Sequence, residues 1–419
     1  MTCCKIESVA FGGDGVARSD GLVIFTPFTL PGETVTISIQ HKKKNFAKAS
    51  LKEVIEKSPH RITPPCPYFL TCGGCQLQHS TYPHQLELKK RFVEDSLTRI
   101  GKISFEVPPV EPSSDPFSYR RHISLKIQKL KDQWLLCFAS TEGKPLAVNS
   151  CLLFHTPNDP ILKNLQDAVS HLDPLSSFAG RLKLIKVEDG YVAAFSFEHP
   201  LSKKEEVALF SLSSSTSLKG LYIETPEKNS ATGQVSLSFT CNGLHFNYSP
   251  FSFVQNHKEQ SEKIYELILS LMKDRKKVID LYCGIGVSTL LLAKEDKEVI
   301  GIEINPFAIG MAKENASKNN LPSVRFFCSA VEDSSDKLIK EFTPDSVLVN
   351  PPRTGLDPAV KQSLCFSSVR QIVYVSCHPP TLARDLAFLQ TEGFVLETLQ
   401  SFDMFPQTTH VETVVSLVR

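Results

Sequence analysis

The fold is decided by the stretch Lys277-Val278-Ile279-Asp280-Leu281-Tyr282-Cys283-Gly284-Ile285-Gly286. An apolar strand runs here into a glycine-containing loop, and the apolar residues 287–293 then continue as a helix. Glycines at such a turn let the backbone approach a ligand closely, where a side chain would collide. Glu303 ends the next predicted strand, a spacing at which a carboxylate can bind the two ribose hydroxyls of an adenosine ligand. The stretch therefore predicts an α/β domain with a nucleotide site.

Strands and helices alternate regularly from about residue 255 onward, which is typical of a sheet with helices packed on its faces. One predicted helix covers residues 307–318. Another covers residues 382–391, with Thr381 as its N-cap and Gly393 at its end. The predicted strands are residues 278–283, 299–303, 324–328, 346–350, 372–377, 395–402 and 411–417.

The glycine loop has the order D-x-x-x-G-x-G. It differs from the dinucleotide fingerprint G-x-G-x-x-G, and it is no P-loop, because no Gly-Lys-Ser/Thr follows it. With Glu303 at the end of the second strand, the loop resembles that of a class I S-adenosylmethionine methyltransferase. A tight turn in another kind of α/β domain is the alternative on this motif alone.

The N-terminal half is rich in short strands. Residues 1–57 combine glycine turns with the alternating apolar residues Val35, Ile37 and Ile39, which predicts a small OB-like β-barrel. Prolines mark a boundary after residue 58, residues 86–100 have helical periodicity, and residues 120–246 are strand-rich. We therefore expect three parts: the barrel (1–57), a central α+β domain (58–250) and the nucleotide-binding domain (251–419).

Three cysteines lie close together in a Pro/Gly-rich loop, residues 66–75. The spacing Cys66-x5-Cys72-Gly-Gly-Cys75 predicts a metal site, because soft thiolate ligands favour an iron–sulfur cluster or zinc. The spacing does not choose between the two, and His79 or His84 could complete a zinc site.

Composition excludes a membrane protein and a strongly basic one. Hydrophobic residues form 41% of the 419 residues, and no apolar run has the length of a bilayer span. The N-terminus lacks the apolar stretch of a signal peptide, so we expect a cytoplasmic protein. The formal net charge is only +1, so an RNA-binding surface would have to concentrate its positive charge locally. Basic stretches are residues 42–48, residues 89–91, and Arg120, Arg121 and His122 with Lys126, Lys129 and Lys131.

Two side chains in the last third of the chain suit methylation at carbon 5 of uracil. That carbon is a poor nucleophile, and addition of a thiolate at carbon 6 activates it. A base must then remove the carbon-5 proton so that the thiolate can leave. Cys377 ends one predicted strand and Glu412 is the second residue of another, and both lie in the half of the chain that carries the nucleotide loop. The thiol must be partly ionised, which an electropositive pocket would promote.

Three segments resemble the signature segments of the RNA 5-methyluridine methyltransferases. The resemblance covers nearly the whole chain, and residues 1–57 resemble the TRAM domain, an RNA-binding barrel of the ribosomal-RNA branch of that family. The segments are Asn350-Pro-Pro-Arg353, Val375-Ser-Cys-His-Pro-Pro-Thr-Leu-Ala-Arg-Asp-Leu386 and His410-Val-Glu412.

The resemblance implies a function and a set of site residues. Cys377 corresponds to the nucleophile of the family and Glu412 to its base. The expected partner is RNA, ribosomal rather than transfer RNA, bound by a monomer without a membrane partner. The methyl-donor site of the family corresponds to Gln255, Tyr282, Gly284, Glu303 and Asn350.

The cysteine loop resembles the iron–sulfur loop of the same branch, with Cys66-Pro-Tyr-Phe ahead of Cys72-Gly-Gly-Cys75-Gln. In that branch a distant cysteine supplies the fourth ligand, which corresponds to Cys151. The resemblance therefore implies a [4Fe-4S] cluster rather than zinc.

The sequence also departs from the family pattern. Asn350 stands where an aspartate is usual, so a carbonyl acceptor is kept and a negative charge is lost. His378 and His257 stand where asparagine is usual, and Val287 and Ala330 replace polar residues near the donor.

Two alternatives stay open on the sequence. One is an RNA-binding or assembly factor that kept the fold with altered catalysis. The other is a methyltransferase for another base. Adenine-N6 enzymes place an aromatic residue after Asn-Pro-Pro, where this chain has Arg353, and a 5-methylcytidine enzyme would need a cysteine in that segment.

Overall fold

The computed structural model describes residues 2–19, 21–130, 132–154, 158–172, 179–234 and 236–419. Lys131 of the third basic stretch lies outside these residues. The chain forms two compact units that are not contiguous in sequence. The first unit comprises Met1–Phe92, Ser114–Gly233 and Phe405–His410, and the second comprises Val93–Ser113, Gln234–Met404 and Val411–Arg419.

The first unit begins with a six-stranded sheet in the order β1-β5-β6-β4-β3-β2. Val35 and Ile37 are fully buried, as their alternation predicts, whereas Ile39 is 38% exposed because the outer end of its strand leaves the core. The strands are β1 (Thr2–Lys5), β2 (Ser8–Val9), β3 (Asp14–Ser19), β4 (Leu22–Pro27), β5 (Thr34–Lys42) and β6 (Phe46–Glu56).

Helix α1 (Tyr82–Ser96) follows the cysteine loop and leads from the first unit into the second. It ends in a π-helical turn, Leu97–Gly101, and Lys102 then stops the helix in a left-handed conformation with φ of 56°. On the side of the first unit, Leu88 and Phe92 pack with Leu77 and Leu30 in a small apolar cluster. The predicted helix is thus present, and it starts four residues earlier than its apolar periodicity indicates.

A second sheet of the first unit has seven strands in the order β13-β12-β11-β10-β7-β8-β9. Its core contains fully buried Phe154 and Phe195. The elements are β7 (His122–Leu130), β8 (Gln133–Ala139), β9 (Pro145–Ala147), α2 (Ile161–Ser170), β10 (Gly180–Val187), β11 (Gly190–Phe197), α3 (Lys203–Ser215), β12 (Leu218–Glu224) and β13 (Asn229–Gly233).

The second unit is built on a doubly wound sheet in the order β18-β17-β16-β19-β20-β22-β21. Neighbouring strands from β18 to β20 are parallel, and β22 is antiparallel to both of its neighbours. The strands are β16 (Lys277–Leu281), β17 (Glu298–Glu303), β18 (Arg325–Cys328), β19 (Ser346–Val349), β20 (Gln371–Ser376), β21 (Val395–Phe402) and β22 (Glu412–Val418), after a hairpin of β14 (Leu237–Cys241) and β15 (Leu244–Tyr248).

Helices connect these strands, as the alternating pattern predicts. Every residue of β19 and β20 is buried, which is the expected state of central strands that are covered by helices on both faces. The helices are α4 (Lys258–Leu271), α5 (Val287–Lys294), α6 (Pro306–Lys318), α7 (Val331–Phe342), α8 (Pro358–Cys365) and α9 (Pro379–Thr391).

The predicted start of α9 is wrong. The N-cap is His378, whose Nδ1 accepts from the Thr381 backbone N–H, and the helix begins at Pro379. Proline at the first helical position needs no hydrogen-bond acceptor for its nitrogen, so a Pro-Pro pair can open a helix as well as interrupt one. The predicted fold class agrees with the observed architecture. Within the described parts of the chain, no helix combines the length and apolar character that a bilayer span requires.

Asp385 of α9 is a fully buried carboxylate that holds the loop after β19. Its Oδ2 accepts from the Leu356 backbone N–H at 2.8 Å and from the Tyr374 hydroxyl at 3.0 Å. Its Oδ1 accepts from Lys361 Nζ at 3.2 Å and Arg384 Nη2 at 2.9 Å. This carboxylate thereby links two helices, a strand and a loop.

We expect Asp385→Ala to lower the free energy of unfolding by about 3 kcal/mol, because buried donors lose their acceptor. Urea unfolding followed by circular dichroism measures the change. Asp336→Ala is the control: its exposed ion pair with Lys340 should contribute less than about 0.5 kcal/mol. A loss below about 1 kcal/mol for Asp385→Ala would contradict the role of this carboxylate.

Candidate active site

Four predicted site residues follow the carboxyl ends of neighbouring strands. Tyr282 follows β16, Glu303 ends β17, Asn350 follows β19 and Cys377 follows β20. The strands are paired in register, with Leu281 beside Ile302 and beside Val349, and Val349 beside Tyr374. Because adjacent strands lie about 4.8 Å apart, these four residues form one row along the ligand-binding edge of the sheet.

The glycine loop has a backbone that few residues can adopt. Tyr282, Gly284 and Gly286 have φ of 65°, 55° and 83°. A Cβ atom on Gly286 would come within 3.2 Å of side-chain carbons of Ala312 and Phe326, so close packing adds to the demand for glycine there. A Cβ on Gly284 would meet no heavy atom within 4 Å. The loop therefore leaves open space beside Gly284.

Asp280 fixes the helix that follows this loop. It is 1% exposed, and its Oδ2 accepts from the Ser288 and Thr289 hydroxyls, each at 2.6 Å. Burial raises the pKa of this carboxyl to about 6, against the effect of the two hydroxyl donors. The sequence signal was the aspartate four residues before Gly284, yet its two partners in α5 were not predictable from the motif.

Glu303 is oriented by two backbone donors. Its Oε2 accepts from the Gly284 N–H at 3.2 Å and its Oε1 from the Asn305 N–H at 2.9 Å. A carboxylate can accept about four hydrogen bonds, so both oxygens keep capacity for a ligand. A pair of vicinal hydroxyls is a suitable ligand for such a carboxylate.

The other positions near the donor site are less regular. Gln255 is half-buried in the loop between β15 and α4, and none of the described strand pairings includes it. Asn350 is half-buried, and its backbone N–H donates to the Leu281 carbonyl at 3.4 Å. Val287 is the first residue of α5, and Ala330 is the N-cap of α7 without a capping side chain.

Cys377 and Glu412 are brought together by strand pairing. β20 and β22 are antiparallel, and Ser376 lies opposite Thr413. Continuing this pairing by one residue places Cys377, which follows β20, opposite Glu412, the first residue of β22. Opposed residues of antiparallel strands have Cα atoms about 4.5–5.5 Å apart. Thirty-five residues of sequence thus separate a thiol and a carboxyl that face each other in the fold.

Burial dominates the electrostatics of this pair. Glu412 is 3% exposed, and burial raises the pKa of its carboxyl to about 8. Burial also raises the pKa of the Cys377 thiol, and the nearby Glu412 charge raises it further. Arg353 opposes both effects, and its guanidinium donates a hydrogen bond to the Cys377 sulfur. The electropositive influence expected around Cys377 is therefore present but is outweighed by burial.

Arg353 is a residue of the site that the sequence alone did not reveal. Its backbone carbonyl accepts from the Thr381 hydroxyl at 3.1 Å, so the first turn of α9 holds the loop that carries this residue. The available signal was a permanently charged residue directly after Asn-Pro-Pro at the end of a buried strand. The pairing of β20 with β22 is what brings both the Cys377 thiol and the Glu412 carboxyl near Arg353, and the sequence does not reveal that pairing.

The four cysteines of the predicted metal site line one cavity of about 850 Å³ in the first unit. Burial raises the pKa of the Cys75 thiol to about 12, and the thiols of Cys151 and Cys72 add to this rise. Arg120 lines the same cavity, and its buried Nε has no hydrogen-bond partner. In the described part of the chain, no three side chains approach closely enough to hold a single metal ion as they stand.

Neither histidine that could complete a zinc site lines this cavity. His79 is 1% exposed and packs against the rings of Phe28 and Phe69, and burial lowers its pKa to about 4. His84 stacks on His60 with ring centroids 4.2 Å apart.

Comparison with known proteins gives two family matches. Residues 232–419 match the family model of tRNA (Uracil-5-)-methyltransferase, and residues 4–52 match that of the TRAM domain. The first match covers the doubly wound sheet with its row of site residues, and the second covers most of the N-terminal sheet.

Relatives and one solved structure resemble the chain along its whole length. An uncharacterized RNA methyltransferase of Protochlamydia amoebophila is 38% identical, over 99% of this chain and 96% of its own. The 23S rRNA (uracil(1939)-C(5))-methyltransferase of Shewanella amazonensis is 32% identical, over 97% and 93%. The crystal structure of Pyrococcus abyssi tRNA (uracil-54, C5)-methyltransferase in complex with S-adenosyl-L-homocysteine has a TM-score of 0.79 and 26% identity, with complete coverage of both chains. The chain therefore belongs to the RNA uracil-5-methyltransferase family, with a TRAM domain at its N-terminus.

Proposed function

We propose that this enzyme methylates carbon 5 of a uridine in ribosomal RNA, with Cys377 as nucleophile and Glu412 as base. One observation carries the assignment: the register of β20 and β22, continued by one residue beyond the pair Ser376 and Thr413, places these two residues opposite each other at the edge of the sheet that also bears Glu303. The proposed RNA class is supported by the 32% identity with a relative whose name specifies 23S rRNA.

The donor site of this proposal comprises Gln255, Tyr282, Gly284, Glu303 and Asn350. Open space beside Gly284 and the remaining hydrogen-bond capacity of Glu303 suit an adenosine-containing donor. The similar Pyrococcus structure is a complex with S-adenosyl-L-homocysteine, the demethylated form of such a donor. Bound here, S-adenosylmethionine would supply an electrophilic methyl group.

The chain's own residues would perform the remaining chemistry in three steps. The Cys377 thiolate adds to carbon 6 of uracil, which makes carbon 5 nucleophilic toward the methyl group. After methyl transfer, the Glu412 carboxylate removes the proton from carbon 5. The carbon 5–carbon 6 double bond re-forms, and the bond between carbon 6 and the Cys377 sulfur breaks to release the thiolate. Arg353 stabilises the thiolate at the start and at the end of this cycle.

We infer that residues 1–57 bind RNA, that residues 58–250 form a central domain with the cysteine loop, and that residues 251–419 carry the reaction. The TRAM match supports this division for the first part. A uracil inside a helical stem could not be reached at carbon 6, so the target must be unstacked and extruded from its RNA fold.

The cysteine cavity supports a [4Fe-4S] cluster held by Cys66, Cys72, Cys75 and Cys151. A zinc ion binds each thiolate at about 2.3 Å, so it needs sulfurs much closer together than a cluster with its own bridging sulfides does. The four thiols line one cavity, and the resemblance of residues 66–75 to the family's iron–sulfur loop favours the cluster. The unpartnered Arg120 Nε suits an anionic cluster as acceptor. The cluster would crosslink the loop of residues 66–75 to Cys151.

Cys377→Ala should abolish the reaction, because no other step activates carbon 5. We expect formation of 5-methyluridine to fall by more than about a thousandfold, measured by mass analysis of nucleosides after incubation with RNA and donor. Cys365→Ala, a buried cysteine of α8, is the matched control and should retain activity. Undiminished product from Cys377→Ala would refute the mechanism.

The rate should rise with pH through about 8, where Glu412 ionises, and should keep rising above it as the Cys377 thiol ionises. Both Cys377 and Glu412 act in their ionised forms, and burial raises both pKa values, so lower pH protonates the groups that must be charged. For Glu412 alone, which acts after the irreversible methyl transfer, kcat should fall about tenfold for each pH unit below 8. With RNA that carries 5-fluorouridine at the target, the reaction stops before the step that needs Glu412, and the RNA stays bonded to the enzyme. The pH dependence of this covalent trapping should therefore reflect the ionisation of Cys377 only. A flat product profile between pH 6 and 9 would contradict the assigned role of Glu412.

Cys75→Ser should lose the metal site. After anaerobic reconstitution we expect about four iron and four sulfide per wild-type chain and a clear loss in the variant, measured with visible absorption. Cys137→Ser, a buried cysteine in the same unit that does not line the cavity, is the control. If the wild-type protein instead contains one zinc per chain and shows no visible absorption, the site binds zinc and the cluster assignment is wrong. If it binds no metal, the proposed metal site is wrong.

A further inference from the structure

A short buried segment of the chain lies just before Glu412, the proposed base. Phe405–His410, which we call the strap, belongs to the first unit, whereas Met404 before it and Val411 after it belong to the second. Gln407, Thr408 and Thr409 are only 2–3% exposed. Glu412 is the second residue after the strap.

Gln407 is held through both its backbone and its side chain. Its carbonyl accepts from the backbone N–H groups of Gln76 at 3.1 Å and Leu77 at 3.0 Å. Its side-chain Oε1 accepts from Gln85 Nε2 at 3.0 Å, and its backbone N–H donates to Gln85 Oε1 at 3.2 Å. Gln407 also has φ of 69°, a conformation that a glutamine adopts only when its surroundings impose it.

Two further side chains of the first unit bind the strap. Lys89, which is fully buried, donates from Nζ to the Phe405 carbonyl at 2.9 Å. The Tyr119 hydroxyl donates to the Pro406 carbonyl at 3.2 Å. Burial of a lysine is unfavourable unless its charge meets acceptors, so an apolar residue would serve simple packing better at this position. The network fixes the strap's backbone at defined points.

We propose that Gln85 and Gln407 are positioning residues that set the carboxylate of Glu412 for proton removal. Glu412 lies five residues after Gln407, a chain length of at most about 17 Å, so a shift of Gln407 can be passed along the backbone to the start of β22. This inference rests on the role of Glu412 under the proposed function. Gln76 directly follows Cys75, so the same bonds connect the cysteine loop to the base.

The order of the chemical steps gives this inference a distinct signature. Attack by Cys377 and methyl transfer do not use Glu412, whereas removal of the carbon-5 proton does. A misplaced Glu412 therefore leaves the carbon 6–sulfur bond intact after carbon 5 has been methylated. The enzyme then accumulates as a covalent adduct with methylated RNA, while a variant that is merely less stable loses all steps together.

The test compares Gln85→Ala with Gln166→Ala in the full-length protein. Gln166 is also a buried glutamine of the first unit, and its Oε1 accepts from the Leu136 N–H, but it does not contact the strap. With target RNA and S-adenosylmethionine, we expect Gln85→Ala to release methylated RNA about ten- to a hundredfold more slowly and to accumulate an adduct that survives denaturing electrophoresis. Gln407→Ala, which keeps the backbone bonds of the strap, should show the same effect more weakly.

Glu412→Gln distinguishes failure of the positioning role from failure of the proposed function. If it accumulates adduct and Gln85→Ala does not, the positioning role is wrong and the proposed function stands. If wild-type enzyme forms 5-methyluridine and Glu412→Gln neither slows release nor accumulates adduct, the base assignment fails, and the positioning role fails with it. Equal slowing of adduct formation and release in Gln85→Ala, or the same adduct in Gln166→Ala, would also overturn the positioning role.

Discussion

The antiparallel pairing of β20 with β22 is the constraint on which the candidate active site depends. Its hydrogen bonds fix which residue lies opposite which, and a slip of one residue would turn every side chain of β22 to the other face. Both strands are almost fully buried, so burial of their apolar faces specifies the register strongly. The proposed nucleophile and base therefore meet because of how the core of the sheet packs.

The same burial shapes the acid–base character of the site. A thiol and a carboxyl that share a desolvated region both resist ionisation, and the charge of Glu412 raises the pKa of the Cys377 thiol further. Arg353 supplies positive charge to both. Asn350 lies in the same loop without the charge of an aspartate, so the guanidinium acts on the thiol and the carboxyl without a competing anion at that position.

Periodicity and turn residues predicted the second unit well. All seven strands from β16 to β22 were predicted to within two residues at each end, because buried apolar runs bounded by glycine, proline or acidic residues leave little ambiguity. The row formed by Tyr282, Glu303, Asn350 and Cys377 also follows from the parallel alternation. The start of α9 was missed because a Pro-Pro pair can either break or open a helix. The reach of Arg353 was missed since it depends on pairing between strands that are distant in sequence.

The interleaving of the two units has a consequence for how the protein is made. During synthesis most of the first unit leaves the ribosome early, yet its strap emerges only after residues 234–404 of the second unit. Until then Lys89 and Gln85 lack the carbonyl and amide groups that they bind in the finished molecule. A nascent chain that stops near residue 400 therefore holds an incomplete first unit, and final closure of that unit coincides with the arrival of Glu412 in its sheet.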